Sequence, residues 1–352
     1  MASRYKRILS IDGGGIRGII PGQILVVVEK KIQEKTGNSD ARIADYFDLI
    51  SGTSTGGIMT CALLCPDEAI PTRPRYSASK VVDLYRDNGS TIFSSDIFHT
   101  IVSLDGVLDE RYPSAGIESV LTKYFDDVRL KQLIKPCLIT SFDIKRNKGH
   151  FFYSHKARKN DAWDFSLLEV ARATSAAPTY FEVALDRSQT GVMYPLIDGG
   201  VFVNNPALCA YSEARLLFQR PDSQLPVTAK DMQIFSLGTG YSAESLEYER
   251  AKDWGAVQWI KPLISIMMSG VSQTVDFQLR QIFEAAAVDS EKDSAVSGQY
   301  IRIDGLLPND VDAALDCATD ENMNALASFG TELAQNHDDD LNRLVDALLQ
   351  EI

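Results

Sequence analysis

Short apolar runs that stop at glycine, alternating with longer segments of helical period, organise the first part of the chain. Residues 7–11 form such a run and end in Asp12-Gly13-Gly14-Gly15. The spacing over 19–34 then predicts a helix, with Pro21 in its first turn and Gly37-Asn38 at its end. A second strand is expected over 47–51 and, beyond the turn that follows, a second helix over about 55–64. Strand, helix, strand, helix in this tight order predicts the α/β class with a parallel sheet. Residues 66–79 are rich in Pro, Arg and Ser and read as a loop, 81–98 as a helix turning irregular, and 117–124 as another helix. Residues 137–143 and 149–153 read as strands around the basic turn Lys145-Arg146-Asn147-Lys148. A helix over 166–173 runs into Thr174-Ser175-Ala176-Ala177-Pro178. A strand over 192–197 ends at Asp198-Gly199-Gly200, and Asn204-Asn205-Pro206 opens a helix over 207–218. A strand over 233–237 ends in Gly238-Thr239-Gly240. From Trp254 the pattern is mainly helical, with an isolated strand over 300–303. With no repeat or composition break, 1–352 is expected to be one domain: a core over about 5–240 and a helical C-terminal layer over about 250–352.

Composition adds limits. Apolar residues make up 45% of the chain and charged ones 24%, as in soluble globular proteins with a sizeable core. The net charge of −13 argues against nucleic acid as a partner, because neutralising phosphates needs a dense basic surface. It also argues against attraction to anionic membranes by overall charge. Local docking through an apolar patch stays open, and residues 254–277 carry the candidates, among them Trp254, Trp259, Leu263 and Ile266. The same spacing suits core packing. The five cysteines have no framework spacing and read as reduced, mostly buried thiols. Cys61 and Cys65 stand one helical turn apart, but no other Cys/His cluster completes a metal site. The apolar stretch after the basic start is too short for a signal peptide, and no run approaches the ~18 residues that span a bilayer. A cytoplasmic protein with peripheral membrane contact is expected; the oligomeric state, a homo-oligomer included, stays open.

Two glycine-rich segments carry the chemistry. Gly52-Thr53-Ser54-Thr55-Gly56 has the G-x-S-x-G spacing between a predicted strand and a predicted helix, the context in which a serine is lifted out of a sheet as a nucleophile. Without that context it would be an ordinary turn. Asp12-Gly13-Gly14-Gly15-Ile16-Arg17-Gly18 exposes successive backbone N–H groups at a helix start, a cradle for an oxyanion or a phosphate. Arg17 either adds charge there or is a surface arginine. Gly13, Gly15 and Gly18 also match the dinucleotide fingerprint, but the next strand ends without the carboxylate that would hold a ribose. Ile19 stands where a P-loop needs lysine. A serine nucleophile needs a base. His99, His150 and His155 do not end a strand beside a glycine turn, and His337 lies in an acidic stretch. Asp198 does end a strand, before two glycines, although Asp-Gly turns are common in their own right. An unperturbed aspartate, with a pKa near ~3.9, is a weak base for a hydroxyl.

Taken together and in order, residues 12–18, 52–56, 173–178 and 198–200 resemble the glycine-rich loop, nucleophile elbow, Ala-Thr-Ser-Ala-Ala-Pro segment and aspartate turn of the patatin-like phospholipases. The resemblance covers nearly the whole chain, to the plant storage-protein type and its bacterial relatives. It implies a three-layer α/β fold with a mostly parallel central sheet flanked by helices. It implies a lipid acyl hydrolase of phospholipase A or lysophospholipase type, with a Ser54–Asp198 dyad and an oxyanion hole from Gly13, Gly14 and Gly15 beside Arg17. No metal or cofactor is implied, and the partner would be a phospholipid or other acyl lipid at a membrane surface. The missing signal-peptide pattern favours a bacterial or cytosolic relative. Some bacterial members are effectors switched on by a cyclic nucleotide, in anti-phage defence against the host's own membrane, though no residues here identify a nucleotide site. The alternatives are a storage or lipid-binding protein with weak esterase activity, or a nucleotide-binding module using Gly13 to Gly18.

Overall fold

The apolar runs become strands of one sheet because most are too apolar to face water on either side. The computed structural model describes residues 5–93, 99–102, 108–220, 225–242, 247–288 and 298–350. Its strands are β1 (Lys6–Ile11), β2 (Leu49–Thr53), β3 (His99–Val102), β4 (Leu108–Arg111), β5 (Cys137–Asp143), β6 (Lys148–Phe152), β7 (Ala184–Arg187), β8 (Met193–Asp198), β9 (Met232–Leu237) and β10 (Tyr300–Ile303). Its helices are α1 (Ile19–Thr36), α2 (Ile43–Tyr46), α3 (Thr55–Leu64), α4 (Ala78–Ile92), α5 (Ser114–Phe125), α6 (Ser154–Ala157), α7 (Leu167–Thr174), α8 (Ala207–Leu217), α9 (Tyr248–Ala251), α10 (Ala256–Val288), α11 (Asp320–Asn336) and α12 (Asp338–Leu349).

Strands β10, β9, β1, β2 and β5 run parallel in that order. Two apolar clusters cover the two faces, which makes three layers. Successive residues of β1 point opposite ways, as strand geometry requires. Ile8 joins Leu49 and the buried residues of α8 and α10, whereas Leu9 and Ile11 join Ile50, α1, α3, α11 and α12.

The antiparallel part of the sheet decides where the chemistry goes. β2 pairs with residues 137–140 of β5, its last residue Thr53 opposite Thr140. β6 pairs with residues 139–143 and so takes the other edge of β5. β8 pairs antiparallel with residues 141–143 and ends with Asp198 opposite Ser141. Overlap with β6 forces β8 onto the same edge as β2. The C-terminal ends of β2 and β8 therefore meet head-on, opposite neighbouring residues of β5.

Four strands depart from the sequence expectations. The strand over 300–303, expected to stand alone, is the parallel edge strand β10 beside β9. The hairpin β3–β4 and the short β7, which pairs with β8, were not expected. Ala-Leu-Asp-Arg is too short and polar to announce a strand; its pairing with β8 makes it one. The predicted helix over 81–98 ends at Ile92 as α4, and its residues 94–98 lie outside the described residues. Cys61, Cys65 and Cys137 are buried free thiols. No helix among the described residues is long and apolar enough to cross a membrane.

Candidate active site

Ser54 stands between the end of β2 and the start of α3, at φ 54° and ψ −121°. A non-glycine residue there is strained by about 1–3 kcal/mol, and the surrounding structure must hold it in place. Its N–H donates to Thr174 Oγ1 at 2.9 Å, and its carbonyl accepts from the Ile58 N–H at 3.0 Å as α3 begins. The flanking glycines are required by contact. A Cβ on Gly52 would lie 2.1 Å from the Gly56 carbonyl oxygen, and one on Gly56 2.2 Å from that of Ile11. Only glycine lets β2 turn so closely into α3.

Asp198 arrives from the other direction, at the end of β8. Its Oδ1 accepts from the Gly200 N–H at 2.7 Å, and its own N–H donates to the Ala176 carbonyl at 2.9 Å. Residues 174–176 thus hold both sides of the pair, Ser54 through Thr174 and Asp198 through Ala176. Burial pushes the Asp198 carboxyl from the ordinary 3.8 up to about 7, against the opposing hydrogen bonds of the Ser54 side chain and the Gly200 N–H. Both residues line one cavity of about 100 Å³, whose other walls include Ile58, Ile117, Phe181, Met267 and Met268.

The glycine-rich turn lies alongside, and its three glycines differ. The Gly13 N–H donates to the Asn204 carbonyl at 3.1 Å, so it is not free to hold an oxyanion, contrary to the expectation for all three. Among the described residues the Gly14 and Gly15 N–H groups have no partner. Gly15 also lines the cavity and has φ 57°. The Gly13 carbonyl accepts from Thr239 Oγ1 at 2.8 Å and Asn204 Nδ2 at 3.4 Å. Arg17 is half-buried and does not line the cavity. Burial pushes its pKa down while Asp304 and Tyr180 oppose that shift.

Beneath the turn lies a charge cluster. Asp12 accepts from Arg302 Nη2 at 2.8 Å and from Ser272 Oγ at 3.3 Å, and Asp304 accepts from the same Nη2 at 2.7 Å. Burial lifts Asp12 to about 6 against the pull of Arg302. Burial also works against the Arg302 charge, but Asp12 and Asp304 more than offset it and hold that pKa above its ordinary value. Sequence reading missed Asn204, Thr239, Ser272 and Arg302 as parts of the site. One signal was there for Arg302, a charge in the middle of the strand Tyr300-Ile301-Arg302-Ile303.

Among the described residues no histidine side chain lines this cavity. His150 is buried against Phe152 and Phe165, and burial lowers its pKa to about 4. His155 Nε2 lies 2.9 Å from Glu213, and His337 pairs with Asp340. The His99 side chain lies outside the described residues.

A family model described as patatin-like phospholipase matches residues 9–211. "Patatin-like protein 2" of Arabidopsis thaliana is 36% identical over 348 residues, 93% of this chain and 82% of the relative. "Patatin-like protein 1" of Oryza sativa subsp. indica is 33% identical over 344 residues, covering 93% and 80%. "Probable inactive patatin-3-Kuras 1" of Solanum tuberosum is 34% identical over 336 residues, covering 93% and 85%.

Proposed function

From the premise that the chain belongs to the patatin-like phospholipase family, we propose that this lipid acyl hydrolase cleaves fatty-acyl esters of membrane glycerolipids through Ser54 and Asp198. The observation that carries this reading is one apolar cavity lined by a strained serine and a buried carboxyl lifted to about 7. A base that titrates near neutrality is matched to taking a hydroxyl proton and returning it. Ser54 Oγ attacks the ester carbonyl carbon as its proton passes to Asp198. The charge that develops on the carbonyl oxygen faces the unpaired Gly14 and Gly15 N–H groups, and one such donor is typically worth ~3–4 kcal/mol. The intermediate collapses, the alcohol leaves with the proton from Asp198, and the acyl group stays on Ser54. Water attacks the acyl carbon and gives a proton to Asp198. Ser54 departs, recovers that proton, and the fatty acid is released.

The apolar walls suit an acyl chain. The first half of α10 suits contact with the lipid surface that presents it. Trp259, Leu263 and Ile266 are exposed on that helix, and Met267, exposed beside them, also lines the cavity.

Ser54→Ala, with its fold checked by circular dichroism, should release no fatty acid from phospholipid vesicles or a p-nitrophenyl ester. Mass spectrometry of the lipids reads the headgroup and glycerol position. Full release by the variant would remove the dyad. Activity confined to soluble esters would favour a storage or lipid-binding role. Adding cyclic nucleotides to the same vesicles tests ligand activation, and equilibrium binding of NAD and ATP tests the rival use of Gly13 to Gly18.

A further inference from the structure

Asn204 is 5% exposed, and the two ends of its side-chain amide differ. Nδ2 donates to Ser272 Oγ at 3.1 Å and to the Gly13 carbonyl at 3.4 Å. Oδ1 has no partner among the described residues. Leaving a buried acceptor unpaired costs ~1–3 kcal/mol, and buried polar groups are nearly always satisfied, by water where protein does not reach. The location of this oxygen gives it meaning. A Cβ built on Gly13 would lie 2.5 Å from Oδ1 and 3.2 Å from Ser54 Cβ. A Cβ built on Gly200 would lie 3.4 Å from Oδ1 and 3.1 Å from Asp198 Oδ1. Because neither glycine carries a Cβ, Asn204 Oδ1 packs close to both, near the nucleophile on the Gly13 side and near the base on the Gly200 side.

We propose that Asn204 positions the water that hydrolyses acyl-Ser54. This rests on the Ser54–Asp198 reading above. The attacking water must direct a lone pair at the acyl carbon and one hydrogen at Asp198, which leaves its second hydrogen in need of an acceptor. Asn204 Oδ1 is that acceptor. The water oxygen bonds to the acyl carbon while one proton moves to Asp198. The bond from that carbon to Ser54 Oγ then breaks, and Ser54 takes the proton back from Asp198. Asn204 touches only the water and exchanges no proton.

The amide also braces Gly13, so loss of activity alone would not identify its role. The oxyanion donors serve both half-reactions, whereas a water holder serves only the second. Release of p-nitrophenolate from p-nitrophenyl butyrate, with enzyme in excess, reads acylation. Intact-protein mass spectrometry after a quench reads decay of acyl-Ser54. Asn204→Ala should slow decay by about 10²-fold, the usual effect of a misplaced reactant, with acylation little changed and acyl-enzyme accumulating. Asn204→Ser, which retains a hydroxyl for Gly13 or Ser272, should show the same selective loss if the alanine variant folds poorly. Ser272→Ala removes a partner of Nδ2 and leaves Oδ1, and its ratio of the two rates should match wild type. Equal slowing of both steps in the Asn204 variants, or slowing of neither, overturns the proposal. Failure of the dyad itself would appear separately, as acylation persisting in Ser54→Ala.

Discussion

At Asp198 the burial that lifts the carboxyl to about 7 also costs the folded chain stability whenever the group is charged. Below pH 3.8 the carboxyl is protonated in the folded and unfolded states alike. Between there and about 7 only the folded state holds the proton, so this contribution to stability is lost as pH rises through that window. Asp198→Asn, neutral and of the same shape, should melt above wild type at pH 8, with the difference vanishing toward pH 4. The same variant should lose esterase turnover. In the wild type kcat/KM should rise with pH around a midpoint near 7, because the base must be deprotonated; a flat profile from pH 5 to 9 would exclude Asp198 as that base. Gly15 is equally exacting. With φ 57°, a Cβ there would lie 2.2 Å from the Leu315 carbonyl oxygen. Gly15→Ala should destabilise the fold by at least ~1–2 kcal/mol in urea unfolding and remove turnover, since the left-handed backbone alone costs that much.

Among the elements, α10 shows where periodicity is silent. Its apolar residues were legible, but a stripe buried in a core and a stripe facing a membrane have the same spacing. In the fold, Val275, Leu279 and Phe283 pack on the sheet while Leu263 and Ile266 stay exposed. Leu263 and Ile266 do not line the cavity. Replacing both with Glu should therefore preserve turnover of a soluble ester and weaken vesicle binding by about ten-fold or more in co-sedimentation. Each side chain is worth up to ~1.5–3 kcal/mol when buried, and ten-fold is ~1.4 kcal/mol. Equal loss on both substrates would move the lipid contact elsewhere. The parallel strands and α1, α3 and α8 were legible because glycine or proline punctuates them and their periods are clean. The hairpin β3–β4 and β7 were not, because short polar strands exist by virtue of their partners.

Across the whole molecule, residues far apart in the chain share one apolar cluster and one charge cluster. Leu9 and Leu348 belong to one apolar cluster, and Arg302 ties the edge strand to Asp12 across 290 positions. Arg302→Met should destabilise the chain by ~3–5 kcal/mol, measured by urea unfolding, because it leaves the Asp12 and Asp304 carboxyls without their cation. A variant as stable as wild type would make the cluster dispensable. The distances along the chain explain what sequence could and could not show. Ser54, Asp198 and the glycine turn are local patterns of a few residues each. Asn204 reaches Gly13 across 191 positions and Ser272 reaches Asp12 across 260, and no local pattern announces either contact. The head-on meeting of β2 and β8 has a consequence of the same long-range kind. The gap between Ser54 and Asp198 is counted in residues of β5, not set by the loops on either side. A slip of β8 by one residue would carry Asp198 ~3.3 Å and turn its side chain to the opposite face. Loops around the cavity can therefore diversify with the lipids they meet, while the ladder on β5 acts as the ruler for the chemistry.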